Sequence, residues 1–208
     1  SSIGGRVIGC RGQLFIIISI FSMGGRCLGP LHEEEWDPEI RSLFERMGYE
    51  TEDDLYNVLK TLARHPKLLK RWLPFANHVL FKSSLSPRVR EIVILRIGWL
   101  CHSEYEWTQH VQIATEEAGM NKSDFTALEV GSADPIWSDG EKAALQLVEE
   151  LFASKAVEDK TWKELGRYFS EQQIMDMVAT VGNYTMVSMM LNTFRVPLDD
   201  WLERYGTF

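Results

Sequence analysis

The segment SPRVREIVILRIGWLC, residues 86–101, constrains this chain more than any other stretch. Its Ile and Val content would suit a strand. Ser86-Pro87, however, offers a cap followed by a proline at the first helical position, and the run to Cys101 is long for a strand. It reads as a helix that is apolar on nearly every side. Such a helix must be buried among other elements.

The rest of the chain supplies helices to bury it. Asp37-Pro38 opens one and Gly48 closes it. Thr51 opens a second, with Leu55, Val58, Leu59 and Leu62 on one face, ending before Pro66. KLLKRWLPFANHVLF predicts a third, kinked or broken at Pro74. Ser103 opens EYEWTQHVQIATEEAG, where Gly119 takes the left-handed closing position. A short helix follows Ser123. Ser138 with Glu141, Thr161 with Glu164 and Ser170 with Gln173 begin three more, the last running to Pro197. No segment alternates with a two-residue period beside hairpin dipeptides. The expected fold is all-α, a bundle of about eight helices with short links, over residues 26–208.

The formal charge is −8, so there is no basic stripe to neutralise nucleic-acid phosphates or an anionic membrane surface. Three cysteines, Cys10, Cys27 and Cys101, form no short-range pair, which points to a reducing cytoplasm rather than a disulfide framework. No run approaches the roughly 20 apolar residues that span a bilayer. Residues 1–25 stand apart. QLFIIISIFSMGG behind Arg6 and Arg11 fits a signal peptide, a stretch upstream of a start at Met23, or a buried strand.

The chemistry concentrates in CHSEYEWTQH, residues 101–110. Ser103 and Glu106 spell a capping box, which needs no function. Glu106 and His110 lie one turn apart on a face made mostly apolar by Trp107, Ile113, Ala114 and Ala118; Glu117 interrupts it. An inward carboxylate beside an inward imidazole forms a coupled pair that can pass a proton. The plain alternative is a core histidine bonded to its helix neighbour. Glu91 is a third inward carboxylate, with Arg90 or Arg96 available to neutralise it, and Gly98 suggests close helix packing. A metal site would need a third ligand such as His102 or Glu104, and no second carboxylate–histidine motif is present, so no metal is expected. Cys101 reads as an inert buried thiol.

The segments EEEWDPEIRSLFERMG, LSPRVREIVILRIGWLCHSEYEWTQHVQIATEEAG and VATVGNYTMVSMMLNTF resemble the carboxymuconolactone decarboxylase-like family, within the alkylhydroperoxidase D-like superfamily. The likeness runs from about Gly29 to Asp200. It implies an all-α fold assembled as a homo-oligomer, a trimer or hexamer. The peroxidase branch carries a glutamate, two cysteines and a histidine. Glu91 and His110 match the first and last, but Ser103 and Glu106 occupy the cysteine positions, so dithiol cycling lacks both sulfurs. The decarboxylase branch carries the Glu–His pair matched by Glu106 and His110.

That resemblance implies a lyase or isomerase working by acid–base chemistry on a small lactone or unsaturated carboxylate. No pyridoxal, thiamine, dinucleotide or P-loop motif is visible, so no cofactor is expected and the substrate must supply the electron sink. His110 is assigned as general acid–base, Glu106 as the group that orients it, Glu91 as a relay, and Ser103 as a donor to substrate oxygen. Trp72, Phe75, His78, Trp99, Cys101, Trp107, Asn183, Tyr184 and Met189 are candidate pocket walls. A peroxidase-like antioxidant and a non-catalytic oligomeric binding protein are the competing readings.

Overall fold

The computed structural model describes residues 28–206. The readings made on residues 1–25, and Cys10 and Cys27, lie outside that range. Nine α-helices and no strand occur among the described residues. They are α1 (Pro38–Arg46), α2 (Asn57–Leu62), α3 (Pro66–Asn77), α4 (Pro87–Leu100), α5 (Glu104–Ala118), α6 (Lys122–Val130), α7 (Asp139–Ser154), α8 (Asp159–Tyr168) and α9 (Glu171–Phe194). None of the described helices is long and apolar enough to cross a membrane.

The apolar run is the central helix. Every residue of α4 from Arg90 to Gly98 is buried. One side of it, with Val93, Ile94 and Ile97, packs on α7 and α9 through Ala144, Leu147, Val148, Met177 and Val181. The other side, with Ile92 and Leu95, packs on α5 and α6 through Trp107, Val111, Phe125 and Leu128. Each such aliphatic side chain contributes roughly 1.5–3 kcal/mol on burial, enough to override the β preference of Ile and Val in this segment. A separate cluster formed by α1, α2 and α3 around Phe44, Leu55 and Leu69 closes one end.

Local chemistry sets most boundaries where the sequence placed them. Asp37 Oδ1 accepts from Ile40 N at 2.8 Å, and Ser86, Ser138 and Ser170 each accept from the third helical N–H. Gly119 ends α5 at φ +63°. Four boundaries differ. Thr51 starts only a 3-10 turn, Glu52–Asp54, its hydroxyl donating to Asp54 instead of capping, and α2 begins at Asn57. Asn121, not Ser123, caps α6, because its side chain and that of Asp124 form a reciprocal box. Glu158 precedes α8, while the Thr161 hydroxyl turns away to Glu150. Finally, α3 runs through Pro74, which sits on the exposed face where water can take up the freed carbonyl. The irregularity comes after it, as a π-helical turn, His78–Lys82. That turn places the Leu80 carbonyl 2.8 Å from Arg90 Nη1.

The segment after α9 returns across the bundle. Asp199 is buried there; it accepts from Asn57 N at 2.6 Å and from the Tyr105 hydroxyl at 2.5 Å. These two bonds fix the start of α2 against α5.

Candidate active site

Glu91 comes from the middle of α4 and is fully buried. A carboxylate survives there because both oxygens are engaged. Oε1 accepts from Arg90 Nε at 2.7 Å and Oε2 meets His110 Nδ1 at 2.7 Å. Arg90 continues the network, pairing through Nη2 with Glu117 at 2.7 Å. The interruption that Glu117 makes in the α5 stripe is therefore the outer end of an ion-pair chain. Arg96 faces elsewhere, to Glu149 and the carbonyls of Leu128 and Glu129.

Glu106 and His110 both point inward from α5, as their four-residue spacing requires. Ser103 and Glu106 do not form a capping box: the Ser103 hydroxyl makes no cap bond and finds no partner among the described residues. Glu106 is thereby released into the interior, where its Oε2 lies 3.6 Å from His110 Nε2. Its carboxyl makes no hydrogen bond among the described residues. The close partner of His110 is thus Glu91 on a different helix, not its own helix neighbour. The nearer carboxylate therefore bonds the imidazole, while Glu106, expected to orient it, stands farther off. The ring is also braced edge-on by Tyr184, with centroids 5.0 Å apart at 87°. At Gly98 the two helices approach closely, and an added Cβ would meet Glu106 Cβ at 3.5 Å.

The electrostatics separate these groups. Burial pushes the Glu91 pKa up, but the His110 and Arg90 charges outweigh it and hold Glu91 below the ordinary carboxylate range. Burial pulls His110 down, but Glu91, through charge and hydrogen bond, and Glu106 outweigh it and raise its pKa. Glu106 gets only partial relief. Burial raises it and Glu91 adds to that, with His110 opposing, leaving a pKa of about 7. The site therefore holds a carboxylate kept ionised, an imidazole whose charged form is favoured, and a carboxyl poised near neutrality to gain or lose a proton.

Both Glu106 and His110 line a cavity of about 160 Å3 between α2, α3, α5 and α9. This falls below the roughly 300 Å3 at which drug-sized sites begin. It matches the room of about 150 Å3 that accepts a benzene ring. The walls are mostly aromatic and aliphatic, with Asn77, Gln109 and Asn183 as further polar members.

Of the pocket candidates read from the sequence, Trp72, Asn183 and Tyr184 lie on this cavity. The others lie elsewhere. Trp99 and Trp107 pack together, centroids 5.1 Å apart, in the α4–α5–α6 core. Cys101 packs against the α4–α7–α9 cluster. Phe75 and Met189 are exposed. His78 is bonded to Asp176 at 2.9 Å on the surface. Ser103 is buried but does not line the cavity. Among the walls that the sequence reading missed, Tyr49 and Tyr56 come from the segments flanking the 3-10 turn. Gln109 was legible in principle, one residue before His110 and three after Glu106. Among the described residues, no group of three or more His, Cys, Asp or Glu is arranged to hold a metal.

Known proteins share part of the sequence pattern and the fold. The family model described as carboxymuconolactone decarboxylase family matches residues 66–150. The fold is similar to that of a peroxidase-related protein from Ralstonia eutropha with an alkylhydroperoxidase AhpD core. The TM-score is 0.69 at 17% identity, over 85% of this chain and 95% of that one. It is also similar to the debrominase Bmp8 in complex with 2,3,4-tribromopyrrole, with TM-score 0.63 at 16% identity, covering 85% and 94%. A peroxidase-related protein from Silicibacter gives TM-score 0.63 at 16% identity, covering 82% and 88%. No curated protein matches the chain in sequence.

Proposed function

We propose that this chain, which carries the carboxymuconolactone decarboxylase family pattern over residues 66–150 on an alkylhydroperoxidase D-like fold, is a lyase or isomerase working by proton transfer. Its substrate is a small ring compound, a lactone or unsaturated carboxylate. The observation that carries this reading is the unengaged Glu106 carboxyl, buried on the cavity with a pKa of about 7 and 3.6 Å from His110. Burying a carboxyl without a hydrogen bond costs free energy, and a structural role would have supplied a partner.

The chemistry follows from the charges. Breaking a C–H or C–CO2 bond next to a carbonyl leaves an electron pair that moves onto the carbonyl oxygen. In an isomerisation, ionised Glu106 takes the C–H proton, and the same group or His110 Nε2 returns it to another carbon. In a decarboxylation, CO2 departs and protonated Glu106 or the imidazolium supplies the proton that replaces it. Glu91 favours the charged form of His110 and holds its ring through Nδ1, which leaves Nε2 on the side of Glu106. Arg90 balances Glu91 outside the reaction zone. The size of the cavity favours one ring, and the five-membered ring held by the debrominase neighbour is of that size.

The thiol reading has less support. Positions matching the two cysteines of the peroxidase branch are Ser103 and Glu106. Cys101 lies off the cavity, and burial raises its pKa, which disfavours a reactive thiolate.

The test is a pH–rate profile on unsaturated lactones and their carboxylates. An inflection near the Glu106 pKa should appear and vanish in Glu106→Gln. A rate rising through it indicates proton abstraction; a rate falling through it indicates donation after loss of CO2. Turnover that persists at wild-type rate in Glu106→Gln, or in His110→Ala, refutes the proposal.

A further inference from the structure

Two other buried residues on the cavity carry polar groups without a partner among the described residues. Asn183 is 3% exposed, and its Oδ1 accepts from the indole N–H of Trp72 at 2.8 Å. An indole nitrogen only donates, so the amide oxygen must face Trp72 and the NH2 group must face away. That NH2 makes no hydrogen bond among the described residues, although Asn183 lines the cavity. The Tyr184 hydroxyl, next along α9, is likewise unbonded among them. An amide whose two donors find no acceptor among the described residues is free to give them to a ligand in the cavity. Trp72 adds rigidity, because it blocks the amide flip that would turn an acceptor toward the ligand.

We infer that Asn183 is the group that holds the substrate's carbonyl oxygen, that Trp72 sets its direction, and that the site therefore selects rings bearing an exocyclic oxygen acceptor. This rests on the proton-transfer reading for its chemical purpose. When the electron pair of the broken bond moves onto that oxygen, the preset N–H meets the growing negative charge without reorganising. The walls of the cavity select for ring size. Asn183 separates a lactone or cyclic enone from a bare hydrocarbon ring of the same size, as a site built to hydrogen-bond does.

The test measures binding, so it does not depend on turnover. A butenolide, the simplest five-membered unsaturated lactone, and benzene serve as probes. Calorimetry gives their affinities, and infrared spectroscopy gives the carbonyl stretch of the bound lactone. In the wild type, the carbonyl band should sit at the lower frequency of a hydrogen-bonded ester. Asn183→Leu should weaken the lactone about tenfold, the worth of one such bond, and move the band up, with benzene affinity unchanged. Trp72→Phe, which keeps Asn183 but frees its amide, should weaken the lactone about threefold and broaden the band. Retained benzene binding shows that each variant is folded. An unshifted band and unchanged lactone affinity in Asn183→Leu overturn the inference. So does an equal loss of both probes, which would make Asn183 only a wall, or a wild type that binds benzene but not the lactone. Glu106→Gln should keep the band shift. A lost rate with an intact band leaves this inference standing, and an intact rate in that variant refutes the proton-transfer reading alone.

Discussion

Replacing Glu106 with glutamine should make the protein more stable, and by an amount that depends on pH. The carboxyl pKa is raised from 4.5 to about 7 in the folded chain. Below about pH 4.5 both states hold the proton, so the group contributes no pH dependence. Between these values the unfolded chain releases its proton first, while the native state keeps it. The native state then binds more protons, and stability falls as pH rises. Above the folded pKa the loss is complete. A shift of this size is worth about 3 kcal/mol at 1.36 kcal/mol per unit. Glutamine has the shape of the protonated acid and does not titrate. The stability difference between Glu106→Gln and wild type should therefore grow by about 3 kcal/mol in the variant's favour from about pH 4.5 to about pH 8.5. His110 also loses stabilisation as pH rises through its raised pKa, but in both proteins, so the comparison chiefly reads Glu106. Urea unfolding at a single fixed protein concentration gives the values, with the slope checked for constancy. A difference that stays flat within about 0.5 kcal/mol would show that Glu106 ionises freely, and would remove the basis for its role in proton transfer.

Three other outcomes follow from the same geometry. Glu91→Gln should lower the His110 pKa, read from its imidazole NMR shifts, and cost about 3 kcal/mol in urea unfolding because Arg90 loses a buried partner. An unmoved imidazole would show that Glu91 is not what charges the ring. Cys101→Ser should leave lactone turnover unchanged, and should also leave any peroxide consumption unchanged; a lost peroxidase rate would revive the thiol reading. Gly131→Ala should destabilise by about 2–4 kcal/mol, since φ is +94° and the new Cβ would collide with the Arg96 guanidinium and the Glu149 carboxylate.

Much of the fold is legible because helix ends are local. Asp37-Pro38, Ser86-Pro87, Ser138 with Glu141, and Ser170 with Gln173 act through bonds three residues long, and each cap forms as read. Thr51 and Thr161 show the limit. Their hydroxyls found acidic partners that compete with capping, and in the case of Thr161 that partner, Glu150, lies on another helix. Ser103 shows it most clearly. A capping box and an inward carboxyl are equally written in its sequence, and the packing of α5 on α4 and α9 decides between them.

The sequence alone determined that one long apolar helix needs burying, that helices surround it, and that Glu106 and His110 share a face of α5. These depend on periodicity and on short-range bonds, which the order of residues sets directly. Only the tertiary structure decided that Glu91 rather than Glu106 grips His110, that Asn183 meets Trp72 at the hollow, and that Tyr49 and Tyr56 line it. Those facts join segments tens of residues apart. Their geometry depends on how buried faces interlock, and no local pattern encodes that.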